Sequence, residues 1–134
     1  MKKLLYLLMI VSFAMAACSR NATDSPPPAE PIEVSDPAKN LEATVGNEFR
    51  IVLDSNPSTG YHWELGNDWD ESVITFVSKG FNDGGLSAPG SGGRDVWIFK
   101  ALKAGTTHIT LEYYPPSNEP VEPQQTVTFT VTVK

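Results

Sequence analysis

The chain has almost none of the residues that build cross-links, metal centres or nucleic-acid surfaces. Cys18 is the one cysteine in 134 residues. No disulfide can form within the chain, and packing alone must hold the fold. His62 and His108 fall on different segments, and no nucleophile motif surrounds either. Acid–base, nucleophilic and ligand roles all need partners that these histidines lack, so no enzyme, cofactor or metal site is expected. The acidic turn Asn67-Asp68-Trp69-Asp70-Glu71-Ser72 offers oxygen donors. It lacks the ordered spacing of a calcium loop and reads as a solvated turn. Ten Lys and Arg stand against sixteen Asp and Glu, a net charge of −6. Binding to a polyanion needs clustered positive charge, so nucleic acid is excluded as a partner.

No apolar run is long enough to span a bilayer as a helix, which takes about 20 residues. The one candidate, Leu4 to Phe13, follows Lys2 and Lys3 and precedes a small-residue stretch from Ala14 to Ala17. That order describes an export signal over residues 1–17, set aside from fold reasoning. Met15-Ala16-Ala17-Cys18 resembles the lipobox of bacterial lipoproteins, which implies acylation at Cys18 and a lipid anchor in a bacterial cell envelope. Ser19, in place of an aspartate, favours the outer membrane. Residues 18–37 are rich in Pro, Ser, Ala and acids and read as a flexible tether. Asn21-Ala22-Thr23 matches a glycosylation sequon by chance, since a lipobox implies a bacterium.

The domain proper is expected over 38–134. Its period is two. Phe49, Ile51 and Leu53 alternate with Arg50, Val52 and Asp54, and Ile109, Leu111 and Tyr113 with His108, Thr110 and Glu112. Val127, Phe129, Val131 and Val133 alternate with threonines in the last segment. Such runs are strands with one buried face. Around Trp97 and Phe99 the chain is apolar on both faces, with Val96 and Ile98 meeting other cover. No helical period is sustained anywhere. The fold class is therefore all-β, an immunoglobulin-like antiparallel sandwich of about seven to eight strands.

Three connections carry more than a strand link needs. Asn56-Pro57-Ser58-Thr59-Gly60 pairs a proline that fixes its own φ with a glycine free to adopt conformations closed to other residues. Tyr61 and Trp63 follow on one side of the next strand and brace the tip. Gly84 to Gly93 holds five glycines in ten residues, leaving backbone amides bare. It has neither a following GK[ST] nor a helix, so phosphate cradling is disfavoured. Tyr113 to Pro123 is proline-rich, and Tyr114 is an amphipathic ring suited to binding. In a sandwich these loops gather at one end.

With those residues in view, the chain from about Leu41 to Lys134 resembles the chagasin family, inhibitors of papain-like cysteine peptidases. The family pattern NP[ST]TG[YF]xW is complete as Asn56 to Trp63, and GxGG as Gly90-Ser91-Gly92-Gly93. Where the family carries Arg-Pro-Trp, this chain has Pro115-Pro116-Ser117, keeping only the middle proline. Loss of an aromatic anchor costs about 2 kcal/mol of binding, or about 30-fold in affinity. The resemblance implies a monomeric, substrate-excluding inhibitor. Its Asn56–Gly60 tip would enter the active-site cleft of a cysteine peptidase, with Ser58 and Thr59 over the reactive cysteine. Gly90 to Gly93 and Tyr114 to Ser117 would grip either side. A non-inhibitory envelope module for binding or adhesion would use the same sandwich, and fold alone does not separate the two.

Overall fold

The computed structural model describes residues 30–85, 88 and 90–134. The proposed signal, Cys18 and most of the tether lie outside the described residues. Eight strands follow in chain order: β1 (Ile32–Val34), β2 (Leu41–Ala43), β3 (Glu48–Ser55), β4 (His62–Leu65), β5 (Ile74–Asn82), β6 (Gly93–Ala101), β7 (Gly105–Tyr114) and β8 (Gln125–Val133). They form two four-stranded sheets, ordered β1-β3-β6-β5 and β2-β8-β7-β4.

The sheets face each other across an apolar core. Phe49, Ile51, Trp97 and Phe99 enter it from the first sheet, and Leu41, Ile109, Leu111, Phe129 and Val131 from the second. Each set follows the two-residue alternation that puts successive side chains on opposite faces. Phe49 and Phe99 are partners across β3 and β6 and stack with ring centres 5.6 Å apart. Val96 and Ile98 are half-buried on the outer face of β6.

Two features depart from the sequence reading. The sandwich is not wholly antiparallel, because β1 runs parallel to β3 and β2 parallel to β8. The expected tether to Pro37 also ends too late. Ile32 to Val34 add a strand to the first sheet, and Val34 packs against the core. The sandwich thus includes a strand that precedes the expected boundary at residue 38. After β1 the chain turns at Asp36–Lys39, where the Lys39 amide donates to the Asp36 carbonyl at 3.1 Å, and returns as β2 on the other sheet. This strap closes one open side of the sandwich covalently.

The registers define two poles. Ser55, Gly93 and Asn82 end their strands together in one sheet, as His62, Tyr114 and Gln125 do in the other. All three long loops leave from this pole. The opposite pole holds the start of β1 and β3 and the end of β8. It is tied by backbone bonds such as Gly46 N–H to Ala101 O (2.8 Å) and Lys134 N–H to Ala43 O (2.9 Å).

Phe99 touches Phe49, Trp69 and Phe76. Phe99→Ala should cost about 3–5 kcal/mol of unfolding free energy in a urea titration, whereas Phe81→Ala, at a 46% exposed position, should cost under about 1 kcal/mol.

Candidate functional site

The tip is a single 3-10 turn over Pro57–Thr59, the only helical element among the described residues. Pro57 stands at its first position, where a missing N–H costs nothing and the fixed φ suits the turn. The Thr59 amide donates to the Asn56 carbonyl and the Gly60 amide to the Pro57 carbonyl, both at 3.1 Å. Gly60 closes the turn in the left-handed region, at φ 80° and ψ −8°. Both hydroxyls fold back inside. Ser58 Oγ donates to Asn56 Oδ1 at 2.6 Å, and Thr59 Oγ1 donates to the Asn56 carbonyl at 2.7 Å. Outward, the turn presents backbone and small side chains, with Pro57, Ser58, Thr59 and Gly60 all exposed.

Behind the tip stands a stack of rings. Tyr61 lies on Tyr113 with ring centres 5.4 Å apart, and Trp63 meets the same Tyr113 at 4.8 Å. The buried Trp63 indole N–H donates to the Asp54 carbonyl at 3.0 Å, joining the strands that enter and leave the tip. Tyr61 and Trp63 thus lie against the same ring. Tyr113 is the residue that the sequence reading passed over. It belongs to the apolar face of β7, and only the register Trp63↔Tyr113 shows that it is the platform.

The other two loops flank the tip. Asn56 Nδ2 donates to the Gly90 carbonyl at 3.4 Å. Gly92 runs beside Ser55, so that a Cβ there would stand 3.5 Å from the Ser55 carbonyl oxygen. The glycine loop opens with two side-chain-capped turns, Asn82 Oδ1 accepting from Gly84 N–H and Asp83 Oδ1 from Gly85 N–H. Ser91 hydrogen-bonds the Ala88 carbonyl through its amide and its hydroxyl. Gly93 is not a loop residue but the first of β6. A side chain there would collide with the Phe81 ring, 2.5 Å from its Cζ.

On the far flank, Pro116 leans on the tip: a Cβ at Gly60 would lie 2.9 Å from Pro116 Cβ. Ser117 bonds Glu119 twice and tightens this loop. Tyr114, at the end of β7 next to Pro115, is half-buried and faces His62, with ring centres 6.1 Å apart. Its hydroxyl donates to Glu112 Oε2 at 2.9 Å, so the polar end of this ring is already engaged. That bond, with desolvation and the charges of Glu112, Glu64 and Glu122, holds the phenol above its ordinary pKa.

The titratable groups near the tip and in the acidic turn are bonded to one another and to the backbone. His62 bridges the Gly60 carbonyl (3.3 Å) and Glu64 (3.0 Å). In the acidic turn, Asp68 accepts from Thr110, and Asp70 accepts from the Ser72 amide and hydroxyl, which lowers the Asp70 pKa. These carboxylates serve the fold.

Gly60→Ala should destabilise the domain by about 1–3 kcal/mol, because alanine resists a left-handed φ and meets Pro116. Amide chemical shifts should move in both the tip and the third loop. For Tyr114, the raised folded-state pKa means that its contribution to stability is complete below the ordinary tyrosine pKa. That contribution is lost as pH rises through the folded value. Glu112→Gln should lower the phenol's titration midpoint, read as the absorbance difference from Tyr114→Phe.

A model of the Chagasin family peptidase inhibitor I42 matches residues 42–133. Amoebiasin-2 of Entamoeba histolytica is 31% identical over 97 residues, covering 70% of this chain and 76% of that protein. Among solved structures, the crystal structure of the cysteine protease inhibitor EhICP2 from the same organism superimposes with a TM-score of 0.62. It is 23% identical and covers 77% of this chain and 95% of its own. The solution structure of Amebosin gives 0.61 at 20% identity, over 78% and 99% of the two chains. PbICP-C, solved in complex with falcipain-2, gives 0.54 at 18% identity, covering 78% of this chain and 99% of its own. Together with the two sheets and the complete Asn56-to-Trp63 motif at their shared pole, the match places the chain in the chagasin family of peptidase inhibitors, to which it belongs.

Proposed function

We propose that the domain is a reversible, substrate-excluding inhibitor of papain-like cysteine peptidases, and that Asn56–Gly60 is the segment that occupies the cleft. The observation that carries this reading is the internally bonded turn at the summit of the loop pole, exposed yet fixed. A segment whose conformation is already set loses little entropy when it docks. It also resists being cut. Nucleophilic attack needs a carbonyl brought into near-attack geometry, and a displacement of 1 Å costs about 100-fold in rate. Here the Asn56 and Pro57 carbonyls accept hydrogen bonds within the turn.

Gly90, Ser91, Gly92 and Gly93 on one flank and Tyr114, Pro115, Pro116 and Ser117 on the other form the shoulders of this wedge. Without the tryptophan of the family's third motif, the proline loop contributes mainly through Pro116 as a stop behind Gly60. The reading extends to the N-terminus: acylation of Cys18 anchors the chain in a bacterial envelope, at the outer membrane. β1 enters its sheet at the pole opposite the tip, so a tether reaching it from that side leaves the loops facing away from the lipid.

The purified protein should inhibit papain reversibly and stoichiometrically in a fluorogenic peptide assay. Thr59→Trp should overfill the tip, and Gly60→Pro demands a φ that position 60 does not have. Each should weaken inhibition by on the order of 100-fold while circular dichroism remains that of a β protein. Absence of inhibition of papain and its relatives at micromolar concentrations would overturn the reading.

A further inference from the structure

An ion pair lies at the open edge of the sandwich beneath the tip, with its carboxylate buried and the lysine side chain 34% exposed. Asp95 is buried on the inward face of β6, with 4% of its surface exposed. Lys79, on the edge strand β5, places Nζ 3.0 Å from its carboxylate and 4.5 Å from the centre of the Trp97 ring. The same ammonium donates to the Trp63 carbonyl at 3.1 Å, which belongs to β4 in the opposite sheet. β5 and β4 are the two edge strands on the side that the β1–β2 strap does not cover. Lys79 is thus a polar rivet across this open side, and Asp95 neutralises it.

We infer that Lys79 and Asp95 are positioning residues for the inhibitory tip, acting through Trp63. Packing alone does not account for them. Apolar side chains of similar volume would fill the same space without burying a carboxylate, and exchanges of buried ion pairs for apolar groups are commonly neutral or stabilising. What they would not supply is a donor to the Trp63 carbonyl. Trp63 is held at both ends, by its indole N–H on Asp54 and by its carbonyl under Lys79. Two residues separate it from Gly60. The ammonium therefore sets where β4 begins, and with it the angle at which the tip leaves the sandwich.

The test is Lys79→Met with Asp95→Leu, which removes both charges and the donor while keeping the volume. Melting temperature, amide hydrogen exchange over Ser58–Tyr61, papain inhibition and cleavage within the tip are read together. The inference uses the inhibitor reading for the last two only; exchange reports on the tip whether or not the protein inhibits. The expected result is a melting temperature within a few degrees of the natural protein, tip exchange at least 10-fold faster, inhibition at least 10-fold weaker, and slow cleavage between Pro57 and Gly60. Lys79→Gln with Asp95→Asn, a neutral pair that keeps a donor, should restore most of the tip protection. If the first variant does not fold, Lys79→Met with Asp95→Asn takes its place and is judged by the same exchange threshold. A folded variant without the donor but with natural tip exchange would overturn the inference, leaving the pair a support of the sandwich only. Natural exchange combined with no inhibition by the unaltered protein would overturn both readings; fast exchange in that case would overturn the inhibitor reading alone.

Discussion

The hydrogen bond from the Trp63 indole to the Asp54 carbonyl, 3.0 Å long, is the joint on which the site turns. Asp54 stands next to the end of β3 in one sheet and Trp63 next to the start of β4 in the other, so the Asn56–Gly60 tip bridges the gap between the sheets. The spacing and tilt of the sheets are set in the core, by Phe49 stacked on Phe99 and by Phe129, Ile109 and Leu111 opposite. A close-packed interior transmits small displacements rather than absorbing them. The shape of the tip is therefore a property of the whole sandwich, expressed through one indole and the Tyr113 ring against it.

Much of this was legible in the chain because the alternation is strong where strands are long. The threonine ladder of β8 and the Phe49-Ile51-Leu53 series of β3 name their buried faces directly. A strand of three residues has too little length to show a period, and β1 passes for tether. Parallel pairing leaves no mark in a single strand either, since the partner is fixed by the path of the chain. The inward Lys79 was hidden for a different reason. An extra residue, Val77, interrupts the register between Phe76 and Ser78. A shift of one residue exchanges the faces of a strand, so Phe76 and Lys79 both turn inward although simple alternation would separate them.

At the site, the motif residues were legible, including the rings of Tyr61 and Trp63, and the neighbours these lean on were not. Asn56 to Gly60 announce a rigid turn because proline and glycine restrict the backbone by themselves. Tyr113 and Phe81 act only through distant neighbours, and neither stands out by composition. Gly93 shows the difference clearly. Within GxGG it reads as one more flexible loop residue, yet its lack of a side chain makes room for the Phe81 ring. Its motif character has as much to do with how β5 ends as with any partner.

The two poles also have different chemical histories to bear. Ile32 and Lys134 both lie at the end away from the tip, tied there to β3 and to Ala43. Whatever is joined after Lys134, a resin, a fluorescent protein or another domain, hangs from the blunt end. Such an attachment leaves the three loops at the other pole unobstructed.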